Sequence, residues 1–204
     1  MTSGRWLMVL GLLAAAAAGP AAAQDPGLYV GGSVGYSQFK DSCKNLVVTC
    51  DDHDQAWRLF GGYQFNRYVG LELGFANLGA ATGEGITNTG AQGVFTRAVE
   101  EAWDLTAVFS IPVTGRLSAL ARVGLYRERT TQDESIVGQA PTHNAGTNSG
   151  FSYGAGAEFR LGPIGLRAEW HRYENVGVGS TTLGGGLTSE DDIDVFSVGL
   201  LWRF

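Results

Sequence analysis

From Leu28 onward, apolar residues alternate with small or polar ones at a period of two, segment after segment. Nothing past the first two dozen residues repeats with a helical period. A period of two sends successive side chains to opposite faces of a strand. The ending is the clearest case: Phe196, Val198, Leu200, Trp202 and Phe204 share one face, against Val195, Ser197, Gly199, Leu201 and Arg203 on the other. Comparable segments lie at 28–37, 55–65, 69–77, 97–111, 117–127, 151–161 and 166–173, which with the terminal 195–204 makes eight strands. The fold class expected is all-β, an eight-stranded antiparallel up-and-down barrel.

The connections alternate as well. Asn66-Arg67-Tyr68, Pro112 to Gly115 and Gly162-Pro163 read as tight turns, whereas the stretches near 38–54, 79–95, 131–149 and 175–190 read as long loops. An up-and-down barrel then carries all long loops at one end, with the short turns and both termini at the other. Bacterial outer-membrane barrels have that arrangement, with short periplasmic turns and long extracellular loops.

A soluble lipocalin-type barrel has eight strands too, with the faces reversed: its apolar face points inward. Here the polar face carries single charges among glycines, at Glu72, Arg122, Glu158 and Arg167, with Arg58, Asp104 and Glu169 on the same inward face. An arginine facing lipid at the midplane costs about 2–4 kcal/mol, whereas inside the bore it can find a partner. The transmembrane reading is therefore favoured. The turn lengths set register: a two-residue turn at Gly162-Pro163 brings Glu158 opposite Arg167, and a three-residue turn at 66–68 sets Glu72 against Gly62 and Phe60 against Gly74. Such a network either gates a narrow passage or satisfies polar groups where bulk water does not reach, and the second reading is the one adopted. The 31 glycines of the chain make room on the inward face.

Residues 1–23 read as a cleaved secretory signal: Arg5 leads an apolar run from Trp6 to Ala18, Gly19-Pro20 breaks it, and Ala21-Ala22-Ala23 ends it. Residues 24–204 then form the barrel with four long extracellular loops, located in the cell outer membrane. The two cysteines, Cys43 and Cys50, are expected to form a disulfide in the first loop, since export favours oxidation. The formal charge of −6 argues against nucleic acid as a partner. No cofactor or metal site is assigned, although Asp51, Asp52 and Asp54 could converge with Glu190, Asp191 and Asp192 at the rim. His53 and His143 lie in loops without ligand spacing. His171 faces inward beside Glu169, with no serine placed to assist it, so no enzyme is expected.

The run Gly62-Tyr63-Gln64-Phe65-Asn66-Arg67-Tyr68-Val69-Gly70-Leu71-Glu72-Leu73-Gly74-Phe75 resembles the transmembrane domain of the OmpA family. Leu105-Thr106-Ala107, Gly154 to Glu158, Leu166 to Trp170 and Ser197 to Phe204 resemble it in the same order. The resemblance implies an outer-membrane barrel whose terminal aromatics, Phe204 with Trp202, are read by the barrel-assembly machinery after escort by periplasmic chaperones. It implies surroundings of lipid bilayer and lipopolysaccharide, and a monomer. Glu72, Glu158, Arg167 and Arg122 match the family's interior charges, but its switching lysine falls on Val108. With the chain ending at Phe204, no peptidoglycan-binding domain is expected. The function expected is structural support of the envelope, with weak porin-like passage of small solutes as an addition. The alternative is a surface adhesin or receptor acting through the loops.

Overall fold

The computed structural model describes residues 26–40, 49–86, 92–177 and 191–204. The strands are β1 (Gly27–Phe39), β2 (Thr49–Asp51), β3 (His53–Gln64), β4 (Val69–Asn77), β5 (Gly79–Ile86), β6 (Gln92–Pro112), β7 (Leu117–Ile136), β8 (Thr142–Leu161), β9 (Ile164–Val176) and β10 (Asp191–Arg203). Eight of them form a closed antiparallel ring in the order β1-β3-β4-β6-β7-β8-β9-β10, and β10 returns to β1. The short strands β5 and β2 are added outside the ring, β5 on β6 and β2 on β5.

The three short turns explain why the register holds. Asn66 folds back so that its Oδ1 accepts the backbone N–H groups of Tyr68 (2.8 Å) and Val69 (3.0 Å). Thr114 Oγ1 accepts Leu117 N–H at 3.0 Å in the same way. Gly162 takes a φ of +63°, the sign a two-residue II′ hairpin needs at its first central position, and Pro163 supplies the second. Fixed there, β8 and β9 set Glu158 opposite Arg167, and β3 and β4 set Gly62 opposite Glu72.

The faces are those of an inside-out protein. Leu28, Val34, Leu59, Leu73, Leu125, Val198 and Leu200 point outward and are exposed, while Glu72, Asp104, Arg122, Glu158 and Arg167 are buried in the bore. Aromatic side chains girdle the outside toward the loop end: Trp57, Phe75 and Trp103 touch in series at 5.7 and 4.9 Å between ring centres. Tyr153 meets Trp170 at 5.8 Å, and Tyr36 stacks on Phe196 at 5.3 Å. A second group lies toward the short turns, with Tyr63 and Phe65 5.2 Å apart and Tyr68, Phe159 and Trp202 exposed nearby in the fold.

The structure differs from the sequence expectation at the loop end. Residues 131–149, expected as a loop, are mostly strand: β7 and β8 continue upward to Ile136 and Thr142, leaving residues 137–141 as the connection. Part of 79–95 is likewise strand, in β5 and the start of β6. Although β5 keeps one face buried at Ala81 and Gly83, the β7–β8 arms rise above the lipid with both faces open to water, so the polar–apolar alternation that marks the lower strands is missing from them. Cross-strand backbone pairing holds them instead.

Candidate functional site: the layered bore

Because inward residues alternate along each strand, neighbouring strands build the bore in layers. Nearest the short turns, Tyr29, Phe60 and Leu201 pack together, and the Tyr29 and Phe60 rings meet edge to face at 6.5 Å. Gly62 is where the Tyr29 ring lies: a Cβ there would collide with its Cζ.

Glu72 on β4 is the centre of the layer above and is fully buried. Four donors converge on its carboxylate. Arg167 Nη1 (2.6 Å) and the Tyr29 hydroxyl (3.0 Å) reach Oε1, and Arg122 Nη2 (2.7 Å) and Arg58 Nη1 (3.1 Å) reach Oε2. Each arginine also grips a second acid. Arg58 forks onto Asp104 through Nε (2.8 Å) and Nη2 (2.6 Å), and Thr106 Oγ1 donates to the same carboxylate at 2.9 Å. Arg122 Nη1 reaches Glu169 at 2.7 Å, and Arg167 Nη2 reaches Glu158 at 3.1 Å. From the mouth at the short-turn end Arg203 Nη2 joins Glu158 at 2.6 Å. Arg58, Arg122, Arg167 and Arg203 thus face Glu72, Asp104, Glu158 and Glu169, and a fifth arginine, the part-exposed Arg160, lies 3.4 Å from Glu158. Space for this comes from Gly74, where a Cβ would sit 2.5 Å from Arg58 Nε and from Asp104 Oδ2.

Higher still, the interior turns apolar. Phe39, Leu78, Val99, Tyr126, Tyr173, Val176 and Ile193 form one buried cluster together with small residues such as Ala56, Ala76 and Ala102. Tyr126 and Tyr173 meet edge to face at 5.3 Å, and the Tyr126 hydroxyl donates to the Glu174 carbonyl. Between the charged and apolar layers is a void of about 20 Å³, lined by Ser33, Arg58, Arg122, Glu169, His171 and Tyr173 among others. That is room for about one water. His171 borders it with an Nε2 that has no hydrogen-bond partner among the described residues. The imidazole is inside the barrel, away from lipid.

All seven interior charges singled out from the sequence, Arg58, Glu72, Asp104, Arg122, Glu158, Arg167 and Glu169, meet in this one network. Val108 is buried and carries no charge to it. Sequence reasoning missed Tyr29, Thr106, Arg160 and Arg203, and one whole layer. Tyr29 and Arg203 both lie on the inward parity of their strands, which was the available signal. The apolar layer draws on Phe39, Leu78, Val176 and Ile193, which lie beyond the strand limits that alternation suggests.

At the rim, Asp51, Asp52 and His53 bring one ligand atom each within 4.8 Å of one another, with His53 Nδ1 2.5 Å from Asp52 Oδ1. Asp54 instead accepts Ala80 N–H at 2.8 Å, and Asp192 accepts Asn175 N–H at 3.2 Å. His143 lies 2.5 Å from Asp133 on the β7–β8 arm. Cys50 stands in β2 opposite Gly83, whereas Cys43, and with it the expected bridge, falls outside the described residues. So do the expected signal segment 1–23 and Glu190. Trp202 points outward at the end of β10, and Phe204 N–H donates to Leu28 O at 3.0 Å, tying the terminus to β1.

The sequence matches the family described as Outer membrane protein beta-barrel domain over residues 8–204. Among curated proteins it is 31% identical to Outer membrane protein A of Salmonella typhi and 32% identical to that of Klebsiella aerogenes, each match taking in 90% of this chain and 50% of the relative. The chain thus spans about half the length of the curated relatives it matches. Among solved structures, a major outer membrane protein from Thermus thermophilus superposes with a TM-score of 0.57 at 9% identity, covering 88% of this chain and 99% of that one. That likeness is one of fold.

Proposed function

We propose that this chain, which belongs to the outer membrane protein β-barrel family and resides in the cell outer membrane, acts as a closed structural barrel that supports the envelope. The observation that carries this reading is the double filling of the bore. The Glu72 network occupies one level and the Phe39–Tyr173–Ile193 cluster the next, and an eight-stranded barrel has an interior that side chains just fill. A weak passage for small solutes would require both layers to move together. Moving an arginine off Glu72 would leave it buried and unpaired, which is costly. Lipid and lipopolysaccharide outside, and the barrel-assembly machinery with periplasmic chaperones during insertion, are the partners that go with this role. The terminal Trp202 and Phe204 are the residues that machinery would read. The barrel works as a monomer, without cofactor and without catalysis.

One feature favours a second reading, a surface receptor or adhesin. The upper parts of β5, β6, β7 and β8 stand above the rim as one antiparallel sheet, a platform that a structural barrel does not need. A gene deletion separates the two. The structural reading expects heightened sensitivity to bile salts and to large hydrophobic antibiotics, rescued equally by the intact chain and by one whose β7–β8 arm is shortened to Arg127 and Ser149. Normal envelope resistance, with loss of cell or phage attachment restored only by the full arm, would instead establish the receptor reading.

A further inference from the structure

Two arginines point the wrong way for a lipid-facing wall. Arg127 and Arg129 lie on the outward parity of β7, exposed, one and two steps above the exposed Leu125. In register, Arg127 sits beside Trp103 of β6 and Ser149 of β8, and Arg129 beside Glu101 and Thr147. Trp103 belongs to the loop-end aromatic girdle, so both guanidinium groups are placed where hydrocarbon gives way to headgroups. There a lipid-facing arginine escapes most of its midplane penalty. Neither arginine has a hydrogen bond or ion pair within the described residues, Glu101 included. The other outward cations at this rim differ: Arg172 forks onto Asp194 at 2.6 and 2.8 Å, and Lys40 is 3.1 Å from the same carboxylate. Below the pair, Leu105, Leu125 and Phe151 form an exposed apolar ledge in adjacent register positions.

We infer that the β6–β7–β8 face at Trp103, Arg127 and Arg129 is a binding site for the phosphorylated headgroup of an outer-leaflet glycolipid, the lipid A part of lipopolysaccharide. This rests on the outer-membrane placement and deepens the proposed lipid partnership by naming its site. Guanidinium forks match phosphate geometry and offer paired donors. Residues two apart on a strand project about 7 Å from each other on the same face, so both can meet one headgroup while Leu125 and Phe151 receive its acyl chains. Glu101 would lie at the edge of the site and favours a headgroup that approaches from the β8 side.

The test uses the whole chain, folded in phosphatidylcholine nanodiscs and titrated with bis-phosphorylated lipid A or with the same lipid stripped of both phosphates, in the presence of a chelator. Native mass spectrometry reads the bound lipid, and unboiled gel migration reports folding. The wild type should prefer the phosphorylated lipid by about tenfold or more, on the order expected for two arginines at an anionic surface. Arg127→Gln with Arg129→Gln should abolish the preference, while Arg67→Gln with Arg116→Gln at the periplasmic turns should keep it. No phosphate preference in the wild type, or an equal one in the Arg127→Gln/Arg129→Gln variant, would overturn the site while leaving the barrel reading intact. A chain that never shows the folded migration in any lipid would overturn the barrel reading itself.

Discussion

Two layers close the same bore by opposite means. The lower one, around Glu72, is made of charges, each paired with an opposite charge at 2.6 to 3.1 Å, although Arg122 Nε and Arg167 Nε have no hydrogen-bond partner among the described residues. The upper one, around Tyr173 and Ile193, is made mainly of apolar bulk, with one buried carboxylate, Glu128, accepting from Thr130 Oγ1 and Gly177 N–H. The charged layer depends on partnership: it tolerates no member being lost, since a buried ion without its mate carries its desolvation cost alone. The apolar layer depends on volume, and a residue of like size and shape substitutes at modest cost. The same barrel therefore contains one region specified by chemistry and one specified by space.

That contrast is open to direct attack. The largest effect is expected from Glu72→Ala, which leaves Arg58, Arg122 and Arg167 crowded around a missing acceptor. Unfolding in urea from detergent micelles should show a loss of about 3–5 kcal/mol; Arg167→Ala takes a donor from Glu72 and from Glu158 but leaves Glu158 held by Arg203, so its loss should be smaller, about 1–3 kcal/mol. A loss below about 1 kcal/mol would mean that the layer is wet and that partnership counts for little. In the upper layer Leu78→Ala should cost about 2–5 kcal/mol through the cavity it leaves, whereas Leu78→Met should cost under about 1.5 kcal/mol. If the methionine variant were as damaging as the alanine one, the upper layer too would depend on specific contacts. Gly74→Ala tests how tightly the charged layer is fitted. Its Cβ would sit 2.5 Å from the Arg58–Asp104 pair, and the expected loss is about 1–3 kcal/mol in the same assay. The smallest effect belongs outside both layers: Val137→Ser at the tip of the β7–β8 arm should change stability by no more than about 0.5 kcal/mol.

The lower layer was legible in the sequence and the upper one was not, for a physical reason. Below the loop-end girdle, one side of every strand meets lipid and the other meets the bore, so alternation marks the inward residues. Turn lengths then set Glu158 across from Arg167 and Phe60 across from Gly74. Alternation alone does not tell how far a long side chain reaches across the barrel. Arg122 reaches Glu72 across β6, and Arg58 reaches Asp104 across β4 in the space left by Gly74, whereas the meeting of Arg167 on β9 with Glu72 on β4 spans the bore and comes from closure of the ring. Leu78 shows where the signal stops. It lies at the break between β4 and β5, next to Gly79 with its φ of +79°, and turns inward at a point where the alternating pattern has already ended. The arms of β7 and β8 read as loop because water on both faces removes the pattern altogether, although Thr131 and Thr147 suit strands.

The central claim is that both layers together keep the bore shut, and single-channel recording across a planar bilayer tests it most directly. The purified wild-type barrel, shown to be folded by its unboiled migration, should give a silent trace in concentrated potassium chloride. Steady, stepwise conductance from the wild type would contradict the closed barrel and put solute passage in its place.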